Sequence, residues 1–256
     1  MDYTKELDFA RQMAVEAGRI MKKYYRTDQQ VETKSDLTPV TIADKEINLM
    51  LIESVKKHYP KYGVLGEEAS WQAKRKKVWV CDPIDGTPAF IFHIPTSMFS
   101  LALVVDGISQ TAITLNAFTG DCYTAVKAGG AFRNGQVISV SDRGWGSGAR
   151  LAGSSDGAVD GIANRQNMQA MGIKIIASYG AVFKGCLVAE GSLDGRIFVH
   201  KGAHDIAAIK LIIEEAGGKV TDLDGNEQRY DRPINGAVMS NGVIHDELLK
   251  LVKKNK

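Results

Sequence analysis

The sequence has few cysteines, no long apolar run and no excess of one charge. Its 256 residues include three cysteines and no C-x-x-C pair, so reduced, packed thiols are expected rather than a disulfide framework or a zinc site. The longest apolar run covers about eight residues around Leu101, far below the roughly 20 that span a bilayer. Residues 1–26 carry charges from Asp2 onward and lack the apolar core of a secretory signal, which favours a cytoplasmic protein.

Charge is nearly balanced, because 32 Lys and Arg face 30 Asp and Glu, for a net charge of +2. Proteins that bind nucleic acid usually carry a basic surplus, so nucleic acid is not an expected partner. The short basic clusters at 74–77 and 253–256 are typical of a solvated turn and a solvated tail. With 44% hydrophobic residues, the chain is predicted to form a single compact domain of two closely packed halves, about 1–145 and 146–256.

Hydrophobic periodicity divides the chain into three regions. Apolar residues recur every three or four positions over 4–25 and 42–58, which predicts two amphipathic helices. Short apolar runs between glycine-containing turns then predict a mostly antiparallel meander with strands at 78–82, 98–106, 111–118, 122–127 and 137–140. The last region predicts strands at 149–152, 174–177, 196–199, 219–222 and 237–240, with helices at 157–171, 181–190, 205–216 and 243–253. This order indicates a layered α+β or α/β architecture.

Two carboxylates follow one apolar strand closely. Asp82 ends the run, Pro83 restricts the backbone after it, and Asp85 arrives three residues after Asp82, so both carboxylates can reach one side of a tight turn. A plain β-turn favours the same residue types and is the competing interpretation. Two close carboxylates repel each other unless they share a cation or one of them keeps its proton.

Further acidic residues occur at the ends of other apolar segments. Glu67 and Glu68 follow a short apolar run, and Asp205 opens a helical run. Taken singly, they are typical of a solvated loop and of a helix cap. Together with Asp82 and Asp85 they form an oxygen-only ligand set with no accompanying His or Cys cluster, which favours Mg²⁺ over zinc. Such a set suits a two-cation site bridged by one aspartate.

An anion can be placed beside these cations. The residues Gly86, Thr87 and Pro88 are predicted to open a short helix, and the N–H groups around Gly86 and Thr87 can hold an anion. An anion next to divalent cations indicates phosphate. Upstream, Thr41 and Asp44 have the spacing of a capping box; in the functional alternative, Asp44 orients the Thr87 hydroxyl.

These motifs, in this order, resemble those of the inositol monophosphatase superfamily of Mg²⁺-dependent, lithium-sensitive phosphomonoesterases. The resemblance covers essentially the whole chain. The matching segments are P-V-T-I-A-D at 39–44, G-E-E at 66–68, D-P-I-D-G-T at 82–87, G-S-S at 153–155 and H-D-I-A-A at 204–208. It implies the family's layered α-β-α-β-α sandwich and a homodimer.

The resemblance also implies the metal ligands. One site would use Glu67, Asp82 and the backbone carbonyl of Ile84, and a second would use Asp82, Asp85 and Asp205. The family's active site holds two or three Mg²⁺ ions.

Catalytic and phosphate-binding roles follow from the same resemblance. Thr87, paired with Asp44, and Glu67 would help to activate the attacking water, while the N–H groups of Gly86 and Thr87 would hold the phosphate. The implied reaction is in-line attack of metal-activated water on a small phosphate monoester, with no covalent intermediate.

On the substrate side the sequence departs from the family pattern. His204 replaces the usual Trp before the last aspartate, and Phe198 stands where the inositol branch typically has a Glu that contacts the sugar hydroxyls. Lys184 begins a K-G-C-L-V-A-E-G segment that resembles the 3′-phosphoadenosine 5′-phosphate phosphatase branch, so it can meet a second phosphate. Lys34 and Ser154 are the remaining candidate contacts; for both lysines, a solvated side chain is the alternative.

The sequence therefore predicts a cytoplasmic Mg²⁺-dependent phosphatase of the inositol-1-monophosphatase type. Its expected partner is a small phosphate ester, with no nucleic acid and no membrane. The alternatives are a 3′(2′),5′-bisphosphate nucleotidase, a fructose-1,6-bisphosphatase and a histidinol-phosphatase. A non-enzymatic alternative is an inactive member that binds a phosphate ligand.

Overall fold

Helices and strands alternate in an order that begins and ends with a helix. The computed structural model describes residues 3–27, 29–35, 37–146, 148–153 and 165–254. Its helices are α1 (Thr4–Tyr24), α2 (Ile42–His58), α3 (Thr87–Ile91), α4 (Arg165–Ala170), α5 (Ala181–Ala189), α6 (Ala203–Glu215) and α7 (His245–Lys254). Its strands are β1 (Glu32–Thr33), β2 (Pro39–Val40), β3 (Gly63–Gly66), β4 (Ser70–Trp71), β5 (Lys77–Asp85), β6 (Met98–Val105), β7 (Ile108–Leu115), β8 (Cys122–Val126), β9 (Ala131–Arg133), β10 (Gln136–Val137), β11 (Arg150–Gly153), β12 (Lys174–Ala177), β13 (Gly195–Val199), β14 (Lys219–Thr221) and β15 (Gly236–Ser240).

Most of these strands belong to two sheets. The eight-stranded sheet has the order β10-β9-β8-β7-β6-β5-β3-β4, and its strands β5 to β10 form the predicted antiparallel meander. The five-stranded sheet has the order β12-β11-β13-β15-β14, in which β12, β11 and β13 run parallel. A short hairpin joins β1 to β2.

The sheets and helices stack in five layers. Helices α1 and α2 cover one face of the eight-stranded sheet, helices α5 and α6 lie between the two sheets, and α4 and α7 cover the outer face of the five-stranded sheet. Alternate residues of β5 face opposite layers, because Val78 and Val80 contact the central helices while Trp79 packs against Phe9 of α1. The predicted α-β-α-β-α sandwich is confirmed.

The first two helices begin and end close to their predicted bounds. In α1 the buried residues Phe9, Met13 and Met21 lie on one face, as the apolar spacing predicts. In α2 the predicted capping box is present: the Thr41 side chain accepts a hydrogen bond from the Asp44 N–H, and the Asp44 carboxylate accepts one from the Thr41 N–H.

Several predicted elements differ from the structure. The strand expected at 137–140 ends at Val137, because Ile138 and Val140 bury their side chains from a loop, and that burial imitates the alternation of a strand. Strand β7 is shifted toward the N-terminus from 111–118, because a tight turn with positive φ at Asp106 and Gly107 starts it at Ile108. Of the helix predicted at 157–171, the structure shows α4, and residues 157–164 lie outside the described part.

Helix α6 is held at both ends. Its first turn carries Asp205, and at its other end the Glu215 carboxylate accepts hydrogen bonds from the N–H groups of Ala128 and Gly130, at 2.7 and 2.8 Å. Those two residues lie between β8 and β9, in the eight-stranded sheet. The helix therefore connects the loop after β13, in the five-stranded sheet, with the turn between β8 and β9, in the eight-stranded sheet.

Among the described residues, every helix is too short or too polar to cross a lipid bilayer.

Candidate active site

A β-bulge in β5 brings Asp82 and Asp85 to the same face of the sheet. Strict alternation would point residues three apart to opposite faces. The pairing of β5 with β6 moves from Asp82↔Ser100 to Asp85↔Met98, so β5 contains one extra residue there. This extra residue restores a common direction for the two aspartates. The strand continues through Asp85, so the bulge replaces the tight turn that the sequence predicted.

The neighbouring strand brings in Glu67. Strand β3 runs parallel to β5, and Glu67 directly follows it, with its N–H donating to the Cys81 carbonyl at 3.1 Å. The Glu67 side chain therefore starts beside Asp82, at the carboxyl ends of both strands.

The third aspartate comes from α6. Asp205 occupies the third position of that helix, where one carboxylate oxygen accepts the Gly202 N–H at 2.8 Å. Ligand atoms of Asp82, Asp85 and Asp205 lie within 4.8 Å of one another, and all three residues are buried. We call these three residues the aspartate cluster.

Backbone groups of α5 fix Asp85. One carboxylate oxygen accepts the Ala181 N–H at 2.8 Å and the other accepts the Val182 N–H at 2.9 Å. Gly180 permits this close approach, because a Cβ at that position would lie 2.6 Å from Asp85 Oδ2. Its φ of +80° is also one that other residues rarely adopt.

The aspartate cluster is electrostatically strained. Burial, followed by the charges of Glu67, Asp85 and Asp205, raises the pKa of Asp82 well above its usual range. Burial is also the main cause that raises the pKa of Asp85 to about 6, against the nearby Lys201 charge and two backbone N–H groups that lower it. Buried carboxylates that repel one another gain stability from a cation or from a proton.

These residues line a cavity of about 340 Å³. Its lining also includes Ile84, Gly86 and Thr87, which lie at the end of β5 and the start of α3. A larger groove, of about 620 Å³, runs beside α1, but none of the described residues that line it carries a carboxylate. The smaller cavity is therefore the candidate site for an ionic reaction.

The hydrogen-bond and ion-pair partners of Glu67 and Thr87 differ in part from the predicted ones. Glu67 forms an ion pair with Lys34, whose Nζ lies 2.7 Å from Glu67 Oε1 and 2.6 Å from Glu68 Oε1. The Thr87 hydroxyl donates to the Ile84 carbonyl at 3.2 Å rather than to Asp44. Asp44 instead forms hydrogen bonds with Thr41, because the capping box already occupies one of its carboxylate oxygens.

Burial is the main cause that raises the pKa of Asp44 to about 7, against the Thr41 hydrogen bonds that lower it. Its second oxygen, Oδ1, is buried and has no hydrogen-bond partner in the described part of the chain.

The substrate-side predictions divide into three outcomes. Lys184 and Phe198 are buried and line the cavity. His204 lies next to it, with Nε2 3.3 Å from Asp205 Oδ2. Ser154 lies outside the described residues.

Two cationic residues of the cavity were missed from the sequence. Arg196 is buried on β13, donates to the Ala152 carbonyl at 2.9 Å and places its guanidinium carbon 5.1 Å from the Phe198 ring centroid. Lys201 forms an ion pair with Asp205. The signal for Lys201 was its spacing, since a lysine four residues before an acid at a helix start can fold back onto it.

The aspartate cluster fits a hard divalent cation. Its donors are carboxylate oxygens, and Asp82 Oδ1 is buried with no hydrogen-bond partner among the residues that the structure describes. A buried anionic oxygen without a donor is costly unless a cation satisfies it. An all-oxygen donor set is the type that Mg²⁺ and similar ions prefer.

Comparison with known proteins identifies the class to which this fold and site belong. The family model of the inositol monophosphatase family matches residues 2–256, so the chain belongs to that family. Its members and the relatives described next are phosphatases, and the chain is accordingly a phosphoric monoester hydrolase.

Individual relatives are similar along most of the chain. A fructose-1,6-bisphosphatase/inositol-1-monophosphatase of Thermotoga maritima is 30% identical over 253 residues, covering 97% of this chain and 96% of the relative. A histidinol-phosphatase of Mycobacterium tuberculosis is 32% identical over 231 residues, covering 87% of each. The solved structure of an IMPase from Thermotoga maritima superposes with a TM-score of 0.87 at 29% identity, covering 98% of both chains.

Proposed function

We propose that this phosphatase hydrolyses a small phosphate monoester of the inositol-1-phosphate type and depends on Mg²⁺. The observation that carries the proposal is the aspartate cluster, whose ligand atoms lie within 4.8 Å of one another at the end of a cavity. A family of phosphatases and an all-carboxylate donor set are consistent with metal-assisted hydrolysis.

The residues that would hold the cations come from the eight-stranded sheet and from α6. Asp82, Asp85 and Asp205 would share one ion, and Asp82 with Glu67 and the Ile84 carbonyl would hold another. When bound, such ions neutralise charge on the phosphate oxygens and lower the pKa of water. The buried Asp82 oxygen makes this residue the natural bridge between the two sites.

Other residues of the chain would bind the ester and place the water. The N–H groups of Gly86 and Thr87, at the start of α3, would hold the phosphate. The Thr87 hydroxyl, which donates to the Ile84 carbonyl, can accept a hydrogen bond from a water beside that carbonyl. Asp44, with a pKa of about 7, can change its protonation near neutral pH.

Fructose-1,6-bisphosphate is the second candidate substrate. The name of the Thermotoga maritima relative includes a fructose-1,6-bisphosphatase activity. The cavity lining also includes Lys184 and Arg196, whose positive charges suit a second phosphate.

We also propose that the two sheets belong to one domain. The homodimer and the cytoplasmic location stay predictions.

The test is phosphate release from a panel of esters, with and without Mg²⁺. The panel contains inositol-1-phosphate, fructose-1,6-bisphosphate, histidinol phosphate and 3′-phosphoadenosine 5′-phosphate. We expect Mg²⁺-dependent release that is fastest from inositol-1-phosphate and is inhibited by millimolar lithium. Fastest release from another ester would overturn the substrate, and release without any divalent cation would overturn the metal dependence.

A further inference from the structure

Lys201 is in direct contact with the aspartate cluster, and the proposed reaction gives it no role. It lies between the end of β13 and the start of α6, four residues before Asp205. Its Nζ is 3.0 Å from Asp205 Oδ1, and its side chain is 42% exposed whereas that of Asp205 is 6% exposed. The lysine side chain is therefore partly open to solvent, while the carboxylate that it contacts is buried.

The charge of Lys201 also acts on the other two aspartates. Burial alone would lower the pKa of Lys201. The carboxylates of Asp205, Asp85 and Asp82 outweigh burial and raise this pKa above its usual range, so the side chain stays charged. The same ammonium offsets part of the repulsion within the aspartate cluster. A divalent cation held by the cluster would meet this positive charge at close range.

The loop keeps Lys201 in this position. Its carbonyl accepts the Gly236 N–H at 2.9 Å, which ties the loop to β15, and the preceding residue, His200, has a φ of +58°. The backbone therefore fixes the position of the Lys201 Cα, while the partly exposed side chain lets the ammonium turn toward solvent.

We propose that Lys201 is a built-in counter-cation of the aspartate cluster. It stabilises the cluster when no divalent ion is bound, and it competes with a divalent cation for Asp205. The inference rests on the proposed metal dependence. Lys201 acts through Asp205 and is a positioning residue, not a catalytic one. Binding of the cation requires the ammonium to leave Asp205, so the lysine weakens the metal site that it protects.

The test uses Lys201→Met, which removes the charge and keeps an unbranched side chain. In the full chain, Mg²⁺ binding is measured by calorimetry and thermal unfolding is measured after chelation. We expect Mg²⁺ affinity to rise about five- to tenfold. We expect the Tm of the chelated protein to fall by a few degrees because the cluster loses its counter-charge.

Two further variants serve as controls. Lys201→Arg keeps the positive charge and should bind Mg²⁺ as the wild-type protein does. Lys210→Met removes a lysine of α6, which is buried and forms ion pairs with Glu214 and Glu227 away from the cluster. It should lower stability without changing Mg²⁺ affinity.

A measurement on the wild-type chain keeps the test valid if Lys201→Met fails to fold. The acylation rate of Lys201 by an amine-reactive ester is followed by mass spectrometry, with the exposed Lys22 as the internal reference. Saturating Mg²⁺ should release the ammonium and accelerate acylation of Lys201 relative to Lys22.

The outcomes separate this inference from the proposed function. Unchanged or weaker Mg²⁺ binding by Lys201→Met, or acylation that Mg²⁺ does not accelerate, overturns the inference and leaves the metal dependence intact. Failure of the wild-type chain to bind Mg²⁺ at all overturns the metal dependence itself.

Discussion

The two sheets contribute opposite charges to the same cavity. The eight-stranded sheet supplies Glu67, Asp82 and Asp85 from the ends of two adjacent strands. The five-stranded sheet and the segment after it supply Arg196 and Lys201.

Among the described residues that line the cavity, Asp205 is the acid that follows β13 of the five-stranded sheet, and it is the acid that Lys201 contacts. One sheet thus carries the groups that suit metal-assisted phosphate chemistry. The other carries Arg196, which in the proposed function would contact the rest of the substrate. This division predicts that substitutions in the first sheet change the rate for every ester, while substitutions in the second change the choice of ester.

The largest effect is expected from Asp85→Asn. This change removes an anionic ligand from the aspartate cluster and places an amide against the N–H groups of Ala181 and Val182. We expect turnover, measured by phosphate release, to fall by more than about a hundredfold for all esters. Circular dichroism should show that the fold is retained.

The matched control is Asp222→Asn. Asp222 also accepts two backbone N–H groups, from Asp224 and Asn226, but it lies on the surface away from the cluster. Turnover of this variant should equal that of the wild type. Unchanged turnover of Asp85→Asn would contradict the assignment of Asp85 as a ligand.

Acid should destabilise the five-stranded sheet through His245. This residue is buried and contacts the hydroxyls of Ser240 and Thr221, at 2.8 and 3.0 Å. Burial, followed by the charge of Lys219, lowers the pKa of His245 to about 4, whereas an unfolded chain takes up the proton near 6.5. The stabilisation is therefore complete above about pH 6.5 and is lost as pH falls toward 4, by up to about 3 kcal/mol.

The comparison with His245→Gln isolates this effect from other titrating groups. The free energy of unfolding is measured by urea denaturation between pH 7 and 4, and the wild type should lose more stability than the variant. His58→Gln, at an exposed histidine of α2, is the control and should follow the wild type. Parallel curves for the wild type and His245→Gln would show that His245 is not the sensitive group.

A smaller effect is expected at Gly180, which precedes α5 and approaches Asp85 closely. Gly180→Ala places a Cβ against Asp85 Oδ2, so turnover should fall about tenfold and stability by about 1 kcal/mol. Gly120→Ala is a close control, because its φ is +79° and a Cβ there has no atom within 4 Å. It should lose similar stability and no turnover, and equal turnover losses in both variants would refute a specific contact with Asp85.

Much of the site could be predicted because its residues lie in short motifs at the ends of regular elements. Asp82, Asp85 and Asp205 were expected together, and the structure brings them together. The β-bulge could not be predicted, because it depends on how β5 pairs with a strand elsewhere in the sequence.

The charged residues of the second sheet were harder to predict. Arg196 is a single charged residue of strand β13, and its burial follows from tertiary packing such as that of α5 against β13. Lys201 looks like a loop lysine until the start of α6 turns Asp205 toward it. Local patterns identify acids that cap elements, whereas the position of a long cationic side chain depends on tertiary contacts.

The attachment of α6 at both ends has a consequence for how disturbances travel. The helix rises about 15 Å from Asp205 to Glu215, whose carboxylate binds the turn between β8 and β9. A helix is stiff along its axis, so it acts as a strut between that surface turn and the cavity. A contact on the turn, whether from crystal packing, an antibody or a neighbouring subunit, would therefore displace Asp205 first.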